Sequence, residues 1–191
     1  MTRGASLAAE RREDIVRAAR ALLEEEGPSA LTMRRLGERL GVRAPSLYKH
    51  VSGKDELEDA LQRAGLDEIG AEVARAAAGA PDPLAAAVRA YRGFAVANPH
   101  LYRLVTERPL PAGHEPGDGE RRGIEAVVAA TGGIDGARAA WAFAHGMVHL
   151  ELATRFPPGA DVDGAWRAGL AAFTARPAPP RAIVRSVRGP D

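Results

Sequence analysis

Residues 32–54, TMRRLGERLGVRAPSLYKHVSGK, restrict the fold more than any other stretch of the chain. Met33, Leu36 and Leu40 recur at three and four residues, the spacing that puts side chains on one face of a helix. Thr32 stands where a hydroxyl can accept an N–H of a first helical turn. Gly41 stands where a helix commonly ends with positive φ. A helix over 32–40 is expected, then a tight turn in which Val42 plugs the angle, then a second helix over 44–51. Pro45 falls in the first turn of the second helix, where its missing N–H costs nothing. Leu47 and Val51 face inward, which leaves Arg43, Ala44, Ser46, Tyr48, Lys49 and His50 largely outside. Two short helices joined this way are the sequence shape of a helix-turn-helix, whose second helix enters a major groove.

Charge supports this locally. The whole chain carries a formal net charge of only +1, but between 32 and 54 six cations (Arg34, Arg35, Arg39, Arg43, Lys49, Lys54) stand against Glu38 alone. Such a patch is the footprint of phosphate contacts. A solvated hairpin whose cations pair with acidic helices nearby would show the same composition. Within the patch, Arg43 can reach a base edge or a phosphate, and Arg on guanine is the commonest specific contact. Ser46 can donate to a base or the backbone, and the Pro45 ring can pack on a thymine methyl. Tyr48 can contact DNA or pad the core. Lys49 and His50, toward the helix end, suit phosphate contact. Thr32 can offer its N–H or hydroxyl to a phosphate, and Lys54, after the Ser52-Gly53 turn, can clamp another.

Four pieces of this region carry a resemblance: IVRAARALLEEEG at 15–27, LTMRRLGERLGV at 31–42, APSLYKHV at 44–51 and SGKDEL at 52–57. In this order and spacing they resemble the DNA-binding domain of the TetR/AcrR family of bacterial transcriptional regulators. The resemblance implies an all-α homodimeric repressor that releases a DNA operator when a small molecule enters a second domain. It agrees with DNA contact by Thr32, Arg43, Ala44, Pro45, Ser46, Tyr48, Lys49, His50 and Lys54. It also implies that movement of the helix after the reader separates two reading heads.

The remaining chain fits a helical protein. There are no cysteines, so disulfide and thiol chemistry are excluded. No signal core and no run of roughly 20 apolar residues is present, and a soluble cytoplasmic protein is expected. Residues 1–9 are expected to be loose, with a first helix from about 10–12 to 26 burying Ile15, Ala19, Leu22 and Leu23. Arg11, Arg12 and Arg17 can touch phosphates or pair with Glu13, Asp14 and Glu24; the Glu24-Glu25-Glu26 run is expected to be a solvated helix end. Gly27-Pro28 stops that helix. The N-terminal domain spans 1–53. A connecting helix follows over 54–78, with Gly65 and Gly70 as points where it can bend. The C-terminal domain is expected over 79–176, and residues 177–191, Pro-rich then basic, are expected to form a flexible tail, with docking of Ile183, Val184 and Val187 on a dimer surface or a weak nucleic-acid arm of Arg181, Arg185 and Arg188 as the alternatives.

Within the C-terminal domain, Asp82 can cap a helix over 83–97, and Asn98-Pro99 can start the next. RPLPAGHEPGDGE at 108–120 lacks periodicity and reads as a surface loop. Helices are expected over 120–131, 135–153 and 162–175. The helix at 135–153 is apolar nearly all round, so something besides its own domain has to cover it. A four-helix interface between two copies is the economical answer, using Val148, Leu152, Trp166, Leu170 and Phe173; the stripe Trp166, Leu170, Phe173 fits internal core equally. WAFAHGMVHLE, with Trp141, His145 and Gly146, and YRGFAVANPHLYRLV at 91–105 resemble the family's subclass named for Trp-His-Gly. Candidate linings for a mostly apolar ligand pocket are Tyr91, Phe94, Tyr102, Trp141, His145, Met147 and His149. His145 and His149 share a helix face but are only two ligands, so no metal site is expected. No cofactor or catalytic residue is expected either: GxSxG, phosphate-binding loops and dinucleotide fingerprints are missing. The competing class is a helical DNA-binding scaffold without an effector. Activation instead of repression stays open.

Overall fold

The computed structural model describes residues 3–174; the tail expected at 177–191 lies outside the described residues. Its elements are α1 (Arg3–Glu26), a 3-10 turn (Pro28–Ala30), α2 (Met33–Arg39), α3 (Ala44–Leu47), α4 (Lys54–Ala77), α5 (Pro83–Ala97), α6 (Pro99–Glu107), α7 (Asp118–Thr131), α8 (Ile134–Leu152) and α9 (Val162–Thr174). The fold is all-α, and no strand occurs among the described residues. α1 starts at Arg3, not at 10–12, because the residues after Gly4 are helix formers with no breaker among them. α3 is shorter than the expected 44–51: Tyr48, Lys49 and His50 form a turn, and the His50 and Val51 N–H groups both donate to the Leu47 carbonyl, at 2.9 and 3.0 Å. That turn lets Val51 bury at 1% exposure before Gly53 starts α4.

One apolar core runs from Ile15 to Trp166 without interruption, and α4 carries it. Leu57 and Leu61 fill the reader end of α4; Ile69 and Val73 fill the far end. The α4 glycines are contact points and not hinges. A Cβ on Gly65 would strike the Val105 side chain of α6. A Cβ on Gly70 would strike the backbone of Gly119 and Glu120 in α7, and one on Gly123 would lie 2.6 Å from the Gly70 Cα. Backbone meets backbone here. The Asp67 carboxylate accepts the Gly119 N–H (2.6 Å) and Glu120 N–H (3.2 Å), which explains why α7 begins two residues before the expected 120.

α6 is held at both ends by other helices. Its first turn is capped from α1: the Glu24 carboxylate accepts the Leu101 N–H at 2.6 Å and the His100 N–H at 3.4 Å. Asn98, expected to cap α6, turns the other way. Its amide donates to the Phe94 carbonyl (3.0 Å) and accepts from Arg20 (3.0 Å), whose guanidinium also grips Glu68 of α4. At the other end, fully buried Gln62 of α4 donates to the Val105 and Arg108 carbonyls, at 3.1 and 3.2 Å. Arg108 pairs with Glu58 and Asp59, and His114 with Glu120, so the 108–117 loop is fastened to α4 and α7.

The α4–α7 crossing gives a direct test. Gly70→Ala places a methyl against backbone that cannot swing aside, and overpacking of that kind costs about 1–3 kcal/mol. Chemical denaturation should show a loss in that range; an unchanged midpoint would mean the helices separate freely.

Candidate functional site

α1, α2 and α3 close around Ile15, Ala19, Leu22, Leu23, Leu31, Leu36 and Leu47, each no more than 1% exposed. Leu40 and Val42 pack against them half-buried. Thr32 is the N-cap of α2, and its hydroxyl oxygen accepts the Arg35 N–H at 3.2 Å. Its own N–H is committed to the Ala30 carbonyl at 2.8 Å, so of the two donors expected at Thr32 only the hydroxyl proton remains. Gly41 closes the turn at φ +65°, a conformation costly for side-chain-bearing residues. Beyond it Arg43, Pro45, Ser46, Tyr48 and Lys49 are exposed, and Ala44 and His50 are half-buried. Tyr48, at 54% exposure, projects outward and does not pad the core. Lys54 begins α4, exposed, 3.5 Å from Glu58.

The basic patch is divided. Arg39 makes two 2.7 Å bonds to Glu25, and Arg35 binds Glu26 (2.8 and 2.6 Å) and Glu38 (3.0 Å). Arg34 lies 3.5 Å from Glu38. Glu25 and Glu26 are exposed as expected of a solvated helix end, but each of the three carboxylates has a partner: Glu24 caps α6, and Glu25 and Glu26 neutralise α2. Arg39 in turn holds the Glu25 carboxyl below its ordinary pKa. The cations of the patch without an ion pair among the described residues are Arg43 and Lys49, which flank α3 and its following turn.

Of the seven residues expected to line a pocket, five form one cluster. The Tyr91 and Tyr102 hydroxyls are 3.0 Å apart, and the Tyr102 hydroxyl is 2.8 Å from His145 Nδ1. Trp141 stacks on His145 with ring centroids 5.9 Å apart, and His149 lies 6.4 Å from His145. Phe94 is buried at 3%, and Met147 packs half-buried against the core. Trp141 (56%) and His149 are exposed and do not wall an enclosed cavity. Two hollows lie elsewhere: a groove of about 490 Å³ between α4 and α7, edged by Glu72, Arg75 and Arg122, and one of about 210 Å³ between α1, α4 and α6, floored by Leu61, Gly65 and Leu101.

α8 turns Ala137, Ala140, Ala144 and Val148 inward. Val148 (0%) and Trp166 (5%) belong to the chain's own core and cannot offer area to a second copy. Trp166 meets Phe143 edge-on and carries the Arg92 guanidinium 5.4 Å above its ring, while Arg92 also binds Glu151 and Asp163. Leu152, Leu170 and Phe173 are half-buried. The outer face of α8 and α9 shows Ala139, Ala142, Ala168 and Ala172, with Leu150 at 40% exposure.

Comparison with known proteins decides what this arrangement belongs to. A family model described as "Bacterial regulatory proteins, tetR family" matches residues 15–61, and one described as "Tetracyclin repressor-like, C-terminal domain" matches residues 84–173. A helix-turn-helix-type transcriptional regulator of Mycobacterium tuberculosis, itself uncharacterised, is 34% identical over 152 residues, covering 74% of this chain and 70% of that one. The chain belongs to the TetR family. It is thus a DNA-binding transcriptional regulator. A regulatory protein of known structure superposes on this TetR-family chain with a TM-score of 0.72 at 25% identity, covering 91% of this chain and 98% of the other. A variant TetR from Acinetobacter baumannii, solved with minocycline, gives 0.62 at 25% identity, covering 84% and 92%.

Glu56 is a contributor to the TetR-family head that the motif reading missed. Its carboxylate accepts the Ser52 N–H at 2.7 Å and receives Arg12 of α1 at 2.9 Å, tying the turn after α3 to α1. The readable signal was a Glu three residues past the Gly53 cap, a capping box displaced by one position. The Ser52 N–H first, then Arg12, hold its pKa down to about 2 from 4.5. A depressed carboxylate contributes stability present above its unfolded pKa and lost as pH falls through the folded one. Glu56→Gln should therefore cost on the order of 1 kcal/mol at neutral pH, limited by solvent screening. It should also flatten the acid limb between about pH 4.5 and 2. Parallel denaturation curves of wild type and variant across that window would reveal an inert Glu56.

Proposed function

We propose that this TetR-family regulator is a homodimeric cytoplasmic repressor that reads a palindromic operator and releases it when a small molecule binds. In this reading residues 1–53 are the reader, 54–78 the connecting helix and 79–176 the sensing and dimerisation domain. The chain acts by binding and not by catalysis. Thr32, Arg43, Ala44, Pro45, Ser46, Tyr48, Lys49, His50 and Lys54 face the DNA, with Arg43 and Tyr48 nearest the bases and Lys49, His50, Lys54 and the Thr32 hydroxyl on phosphates. The observation that carries this is the division of the patch: the α2 arginines are occupied by Glu25, Glu26 and Glu38, whereas Arg43 and Lys49 are exposed without ion pairs among the described residues. Two such heads sit about one DNA turn apart, roughly 34–36 Å, which matches a two-fold operator.

Dimerisation through the outer faces of α8 and α9 is supported by Gly146. Glycine inside a helix costs about 1 kcal/mol relative to alanine, and a Cβ at Gly146 would meet no other element among the described residues within 4 Å. A close-packed helix of a second copy accounts for it. Leu152, Leu170 and Phe173 then edge that contact. The effector is small and mostly apolar with one or two hydrogen bonds, in keeping with minocycline bound by the Acinetobacter relative. Tight packing of Tyr91, Phe94 and Tyr102 favours the ligand-independent scaffold instead. A thermal-shift screen against planar aromatic compounds separates the two readings.

Selection of random duplexes on the purified protein should enrich a palindrome. On that site Lys49→Ala should lower the slope of log K against log salt by about 0.9 per subunit, one phosphate contact each. Arg39→Ala should change it far less; equal losses would refute the division of labour. Gly146→Leu should leave the monomer folded and weaken dimerisation about 10- to 100-fold, the equivalent of 1–3 kcal/mol of overpacking. Sedimentation equilibrium reads this directly, and an intact dimer would place the interface elsewhere.

A further inference from the structure

The hydrogen bonds that join Tyr91 of α5, Tyr102 of α6 and His145 of α8 have a direction. Hydroxyls donate or accept, so the 3.0 and 2.8 Å separations alone leave it open. Tyr91 is buried, and the Tyr102 oxygen is the one acceptor its hydroxyl proton is recorded to reach among the described residues. Tyr91 therefore passes its proton to Tyr102, and Tyr102 donates to His145 Nδ1. Burial pushes both phenols up, so neither gives up its proton near neutrality. The opposite direction would leave the Tyr91 hydroxyl proton buried with no acceptor recorded among the described residues. His145 Nδ1 must then be a lone pair, and the ring is neutral with its proton on Nε2.

We propose that His145 is a proton sensor: a proton taken on Nδ1 faces the Tyr102 hydroxyl proton, and Tyr102 can accept it only by turning its own proton toward Tyr91, whose buried proton then loses its acceptor, so the link between α6 and α8 weakens. The groups facing His145 are Tyr102 and Glu107 on α6, and Trp141 and His149 on α8; Tyr91 on α5 acts through Tyr102. Burial first, then the neighbouring His149, hold the imidazole below 6.5, and Glu107 opposes them. Because the folded value lies below the unfolded one, stability is full above 6.5 and falls as pH drops from there toward the folded value. The element released is α6, whose ends remain tied to α1 by Glu24 and to α4 by Gln62. The switch needs no assumption about operator or effector.

The chain has two tryptophans, and only Trp141 stacks on His145; a charged imidazolium against an indole quenches its emission. The test follows tryptophan emission and Tm of the full chain from about pH 8 to about pH 5. Wild type should quench with a midpoint below 6.5, and Tm should fall over the same interval. His145→Asn keeps an acceptor near the Nδ1 position and cannot take a proton; it should lose both transitions. Tyr102→Phe removes the donor that favours neutral His145, so its quenching should persist with the midpoint shifted up toward 6.5. Quenching that survives in His145→Asn, an unmoved midpoint in Tyr102→Phe, or no transition in wild type would each overturn the proposal. If His145→Asn does not fold, the Tyr102→Phe midpoint decides alone.

Discussion

Backbone touches backbone where α4 crosses α7, and the rest of the molecule depends on that crossing. Gly70 and Gly123 leave no room for a side chain between the two helices, so their separation is set by main-chain atoms that cannot change rotamer. From that fixed point α4 extends both ways. One end carries Leu57 and Leu61 into the reader core; the other carries Ile69 and Val73 among the C-terminal helices. A helix buried along so many directions has no single apolar stripe, and α4 accordingly follows packing around it more than any amphipathic pattern of its own. Asp67, on the same stretch, supplies the carboxylate that starts α7.

Three consecutive carboxylates at the end of α1 do three separate things. Glu24 points at the first turn of α6, where the helix dipole and two N–H groups welcome a negative charge. Glu25 and Glu26 turn to Arg39 and Arg35 of α2. A helix advances about 100° per residue, so three neighbours necessarily face three directions. Of the three only Glu24 crosses to the C-terminal helices; together with Arg20, which reaches Glu68 and Asn98, it makes the rim of that junction polar, with an uninterrupted apolar centre beneath. Apolar contact supplies most of the adhesion, and the ion pairs fix the angle at which the parts meet.

Much of this was legible from residue order because strong punctuation marks it. Asp82-Pro83 and Asn98-Pro99 placed the starts of α5 and α6 to the residue, and Gly41 marked the turn between α2 and α3. Local signals failed where distant partners decided the outcome. Asn98 has the residue type of a cap, yet Arg20 draws its carbonyl away and Glu24 takes over the capping. Val148 is expected at an interface because α8 is apolar nearly all round, so its composition cannot say which side is inside; alanines at 137, 140 and 144 mark the inward face only once the neighbouring helices are known, and of the two readings open for Trp166 of α9 the internal core is the one the structure shows. The exposure of Arg43, Pro45, Ser46, Tyr48 and Lys49 around buried Leu47 was readable from helical spacing. Tyr91, Tyr102, Trp141, His145 and His149, expected as pocket lining, come together in space, but as a cluster whose hydrogen bonds depend on three helices meeting, which no single stretch encodes.

The pairing of the α2 arginines with α1 acids also bears on how such a protein searches a chromosome. Binding to arbitrary sequence is driven by release of counterions from the phosphate backbone and grows with each uncommitted cation. A head that keeps Arg35 and Arg39 occupied gains little from any random duplex it meets. If the proposed operator reading holds, its residence on irrelevant DNA would be shorter, and occupancy of the operator would follow cellular copy number more closely, than for a uniformly basic head.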